Sequence, residues 1–173
     1  LQAAHDGDVV HRDLKPDNVF LVSATDGAGP RVKILDFGLA KILEAGAEMT
    51  QTGIALGTPR YMAPEQARGG RHVDHRVDIY AVGLMLYEAV TGRFPFEAPT
   101  PILMLTVKAT EDPPPPSRFA LIPPALEALI LRALHKDPDL RFQSAREVAA
   151  ALQAIGGPAA GVPLERRAPI SQQ

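Results

Sequence analysis

The chain has 173 residues, 46% of them hydrophobic, which is enough for one packed core and too few to suggest two. Its net charge of −2, with acids and bases interspersed, calls for no nucleic-acid or anionic-membrane partner. The absence of cysteine excludes a disulfide framework and thiolate metal sites. No apolar run could span a bilayer, and the opening LQAAHDGDVVHRD lacks the basic start and apolar middle of a signal peptide, so the expected setting is the cytoplasm.

Residues 1 to 5 have helical composition and stop at the turn signal Asp6-Gly7-Asp8. A polar loop, Val10 to Pro16, leads to the apolar run NVFLV at 18 to 22, which reads as a strand. A second run, Val32 to Leu35, follows the breaker-rich SATDGAGPR, and the two runs predict a hairpin. Residues 39 to 60 are rich in Gly and Thr with no sustained period, the pattern of a long functional loop.

Beyond Glu65 the pattern is helical. DIYAVGLMLYEAV at 78 to 90 is apolar on nearly every face, as expected of a helix surrounded by protein. Thr100-Pro101 opens a short helix over 100 to 109. Leu126, Leu129, Ile130, Ala133 and Leu134 make one apolar stripe on a helix introduced by Pro123-Pro124. Ser144 and Glu147 form a capping box for a last helix that ends at Gly156-Gly157. From Pro158 the period is lost, so 157–173 is expected to be a disordered tail or a juxtamembrane linker. Pro113 to Pro116 reads as a stiff connector between helices, and His72 and His75 as solvated side chains rather than metal ligands.

An antiparallel hairpin sets the start of its first strand beside the end of its second, which makes Asn18 and Asp36 neighbours. Asp13 lies in the loop that enters the first strand. Two carboxylates and an amide oxygen therefore gather at one end of the hairpin, a donor set of hard oxygens that suits magnesium bound to a nucleotide.

HRDLKPDN at 11 to 18, DFG at 36 to 38 and APE at 63 to 65 resemble, in order and spacing, the catalytic loop, metal loop and activation-segment end of protein kinases. The DFG alone is a weak signal; the eight-residue HRDLKPDN is a strong one. The resemblance covers residues 1 to 156 and implies the C-terminal helical lobe of the kinase fold, an α+β architecture that is mainly α with a small β-hairpin.

It also implies the roles. Asp13 is the catalytic base for a substrate hydroxyl, and Lys15 neutralises charge on the transferring phosphoryl group of ATP. A lysine at this place is similar to Ser/Thr kinases more than to Tyr kinases. Asn18 and Asp36 are the Mg²⁺ ligands, and Phe20 belongs to the apolar surface that meets the nucleotide and the upper lobe. His11 and Phe37 are expected to pack against that lobe, with Gly38 completing the metal loop. Glu65 pairs with a buried Arg141, and Asp78 anchors the backbone around His11 and Arg12. Thr58 in GTPRYMAPE resembles the threonine that bonds Asp13 and Lys15, while Thr50 and Thr52 match the paired TQT threonines of similar bacterial kinases. PEQ at 64 to 66 is similar to those bacterial kinases as well. A phosphate on Thr50 or Thr52 would pair with Arg12, and autophosphorylation between two copies would be the natural switch.

No glycine-rich phosphate loop, VAIK-like lysine or glutamate-bearing partner helix is present, and all three precede the catalytic loop in the family's order. The chain opens at Leu1, in what looks like the end of a helix, and reads as a fragment whose longer product could carry a membrane anchor. Two readings follow: the catalytic half of an active Ser/Thr protein kinase acting on protein substrates, or a non-catalytic kinase-like module that binds through its helical lobe. A small-molecule phosphotransferase is disfavoured by the APE segment, which positions peptides.

Overall fold

The computed structural model describes residues 1–23, 29–37, 60–67 and 73–156. Its order is α1 (Gln2–His5), β1 (Val19–Val22), β2 (Arg31–Ile34), α2 (Pro64–Ala67), α3 (Arg76–Thr91), α4 (Pro101–Thr110), α5 (Pro124–Ala133) and α6 (Ala145–Gly156). Short 3-10 turns at Pro16–Asn18, Pro116–Arg118 and Pro138–Leu140 each begin with a proline, whose fixed φ suits a first helical position. The long segment over 39 to 59, residue His72 and the tail from 157 lie outside the described residues.

α3 is the pillar of the core. Val77, Ile79, Tyr80, Leu84 and Tyr87 are all but fully buried, and α5 packs along it with Leu129, Ile130 and Ala133. Helix α6 packs on α5 and adds Val148 to the core. α3 and α5 come close at Gly83, where a Cβ would stand 2.9 Å from the Ala133 Cβ. α3 begins two residues before its apolar run, at Arg76, whose amide donates to the Asp74 carboxylate at 2.9 Å just ahead of the helix. It stops at Gly92, which takes a left-handed φ of 66° and returns its N–H to the Glu88 carbonyl at 2.8 Å.

The hairpin is antiparallel, with Val19 opposite Ile34 and Val22 opposite Arg31. Asn18 is not part of its first strand; the Pro16 turn claims it, with the Asn18 amide bonded to the Lys15 carbonyl at 3.0 Å. Thr100 caps α4 through its hydroxyl to the Leu103 amide, yet Ile102 and Leu103 remain exposed and the one fully buried side chain of α4 is Lys108. The capping box of α6 is half as drawn from sequence. Ser144 Oγ accepts the Glu147 amide at 3.1 Å, while Glu147 reaches back to the amide of Gln143, one residue beyond Ser144.

Candidate active site

The residues predicted to be catalytic sit where the loop from α1 turns into β1. Lys15 Nζ donates to Asp13 Oδ2 at 3.0 Å, and Asn18 Nδ2 donates to the Asp13 carbonyl at 3.0 Å. Asn18 is buried, and with its nitrogen committed to Asp13 its amide oxygen is the atom left for a ligand. Across the hairpin, the Leu35 amide donates to the Asn18 carbonyl at 2.9 Å, which delivers Asp36 to the same end. Asp36 is exposed, takes a left-handed φ of 58°, and carries no hydrogen bond or ion pair among the described residues. A free carboxylate beside an oriented amide oxygen is a set of hard donors, and it fits magnesium.

Asp78, at the start of α3 and almost wholly buried, holds the loop from below. Its carboxylate accepts the His11 amide at 2.9 Å and the Arg12 amide at 2.8 Å. No sequence motif includes His5, yet its Nε2 donates to Asp78 Oδ2 at 2.8 Å, giving that buried charge a third donor. A histidine just ahead of the turn that feeds the catalytic loop was the available signal; its partner lies 73 residues away. His75 is half-buried: its ring sits 5.1 Å from that of His5 and its Nε2 donates to the Gln143 carbonyl at 2.9 Å in an exposed bond. Its place at the start of α3, between α1 and the loop before α6, accounts for this.

His11 is completely buried, and its ring packs on Phe37 at 4.9 Å. Its Nε2 donates to the Leu35 carbonyl at 2.9 Å while its Nδ1 accepts the Asp13 amide at 3.3 Å, because a carbonyl can only accept and an amide only donate. The imidazole thus ties the loop of Asp13 to the loop of Asp36. Arg12, between these ties, adopts a left-handed φ of 64°, a strained conformation for a residue with a Cβ.

Farther out, the Arg141 guanidinium is fully buried and meets Glu65 through two bonds of 2.7 and 2.9 Å. Its other donors go to the carbonyls of His135, Arg76 and Lys136. The segment 60–62 just before α2 is held from α3 and α4. Arg60 pairs with Glu88 at 2.8 Å, the Tyr61 hydroxyl bonds the same carboxylate, and Lys108 Nζ donates to the carbonyls of Arg60 and Met62. Burial, with the Glu88 bond adding to it, pushes the Tyr61 phenol up to about 12. Burial, aided by the nearby Arg60 charge, pushes the Lys108 amine down to about 7. Gly38, Thr50, Thr52 and Thr58 lie outside the described residues.

The protein kinase domain profile matches residues 1–152. This chain belongs to the protein kinase domain family. It is 48% identical over 161 residues to the serine/threonine-protein kinase pkn3 of Myxococcus xanthus, covering 90% of this chain and 29% of that protein. With Pkn1 of the same organism the identity is 49% over 154 residues, covering 88% and 22%. A crystal structure of the Mycobacterium tuberculosis PknI kinase domain, a double mutant, superposes with a TM-score of 0.63 at 29% identity, covering 90% of this chain and 51% of that one. The kinase chain thus spans under a third of those curated relatives and about half of a solved kinase domain. Among the described residues, no helix is long and apolar enough to cross a membrane.

Proposed function

We propose that this chain supplies the catalytic half of a Ser/Thr protein kinase that moves the γ-phosphate of ATP to hydroxyls of protein substrates. The observation that carries this reading is the contact of Lys15 Nζ with Asp13 Oδ2 at 3.0 Å, at the hairpin end that also holds Asn18 and Asp36. Asp13 orients the substrate hydroxyl and accepts its proton as the oxygen attacks in line. Lys15 balances charge on the Asp13 side and on the phosphoryl oxygens in transit. Asn18 and Asp36 would hold Mg²⁺, which offsets the charge that develops on the phosphates.

The exposed hairpin face, with Phe20 at its centre, is the surface against which the rest of a kinase domain packs and under which the nucleotide lies. Residues 157–173 then serve as a tail or linker. The Arg12 guanidinium is exposed and makes no hydrogen bond or ion pair among the described residues, which leaves it ready for a phosphate on Thr50 or Thr52, placed there by a second copy of the kinase.

The test is incubation of the full-length gene product carrying this chain with Mg²⁺, γ-labelled ATP and a protein acceptor. Label on serine and threonine, none on tyrosine, and phosphate at Thr50 or Thr52 by mass spectrometry are the expected results. Protein that binds partners through its helical face but transfers no label would instead establish a non-catalytic module.

A further inference from the structure

Asp13 is aimed by a backbone that would not hold itself. Arg12 directly before it has φ of 64°, a region that costs a residue with a Cβ on the order of 1–3 kcal/mol unless its surroundings enforce it. Asp78 secures one side of that residue by taking its N–H at 2.8 Å. The other side is its carbonyl, turned away by the left-handed twist, and that carbonyl accepts from Gln66 Nε2 at 2.9 Å.

The opposite end of the same amide is also fixed: Gln66 Oε1 accepts the Ala63 N–H at 2.9 Å. Both partners are backbone groups of set polarity, so the orientation of the amide is forced. One half-buried side chain therefore closes the start of α2 and grips the peptide that leads into Asp13, 54 residues earlier in the chain.

We infer that Gln66 is a positioning residue for Asp13: through the Arg12 carbonyl it fixes the direction of the catalytic carboxylate and couples it to the end of the activation segment. The role needs both ends of an amide. Glutamate would keep the acceptor for Ala63 but set a second oxygen against the Arg12 carbonyl, and alanine would lose both bonds. Glutamate regains a donor only when protonated, and a carboxyl held against a carbonyl has its pKa raised.

The inference rests on the proposed kinase reading, and the experiment separates the two. Full-length wild type, Gln66→Ala and Gln66→Glu are compared by kcat, by KM for ATP, and by amide exchange at Arg12 and Asp13. At about pH 8 both variants should lose roughly 10- to 100-fold in kcat with KM for ATP unchanged, since a misaimed base slows chemistry without loosening the nucleotide. As pH falls to about 5.5, the kcat of Gln66→Glu relative to wild type should recover as its carboxyl takes up a proton. Asp13, Lys15, His11, Asp78 and Glu65 are common to all three proteins, and Gln66→Ala, which adds no carboxyl, should show no such recovery.

Exchange at Asp13 should quicken in both variants at the higher pH. A role confined to capping α2 predicts instead that Gln66→Glu matches wild type at every pH, and that result would overturn the inference. Should wild type transfer no phosphate, the functional reading fails; faster exchange at Asp13 in the variants would still sustain the tie, and unchanged exchange would sink it.

Discussion

Lys108 shows how much a single residue can hide from its sequence. It lies in α4, which reads from sequence only as a short helix opened by Thr100-Pro101, yet its amine is fully buried and holds the carbonyls of Arg60 and Met62. With a folded pKa of about 7 against an ordinary 10.5, the unfolded chain binds more protons between those values, so stability rises with pH across that window. Below about 7 both states are protonated and the dependence vanishes. Equilibrium unfolding of wild type and Lys108→Met from pH 6.5 to 10 should show the difference growing in favour of wild type; a flat difference would mean a lysine charged throughout. Arg141 makes the opposite case, a permanent cation with all five donors taken. Glu65→Gln would leave that guanidinium buried without its counter-charge at a cost of about 3–5 kcal/mol, read as a lower urea midpoint.

Elements follow local chemistry well where periodicity and caps agree, and less well where a side chain from elsewhere intervenes. The α3 and α5 stripes were legible because nearly every apolar position on them is also a core position. The start of α3 was not, because Asp74 lies outside the apolar run that marks the helix, and the second half of the α6 box moved to Gln143 for the same kind of reason. Gly83 carries a constraint that no pattern announces. Alanine there gains up to about 1 kcal/mol of helix propensity but drives its methyl into Ala133 and Leu134, and overpacking costs about 1–3 kcal/mol. Gly83→Ala should therefore lower the melting temperature; a rise would show that α3 and α5 separate freely.

On the scale of the whole molecule, the helical part is closed and the hairpin is open. Leu21 is 67% exposed and its cross-strand partner Val32 59% on one face, and Phe20 is 47% exposed on the other, on a two-stranded sheet that buries little of its own. The residues that gather near Asp13 were legible as motifs, since HRDLKPDN and DFG are each local in sequence. The long-range bonds around them were not, because His5 and Gln66 act across 73 and 54 residues, as Lys108 does across 46 at the segment before α2, and belong to no short pattern. His5, through Asp78, and Gln66 converge on the backbone that leads into Asp13. Asp13→Asn in the full-length product keeps the shape of the loop and removes the proposed base, so phosphotransfer measured with saturating Mg-ATP should fall by roughly 100-fold or more while melting temperature and nucleotide affinity stay level. Turnover close to wild type in that variant would contradict the account.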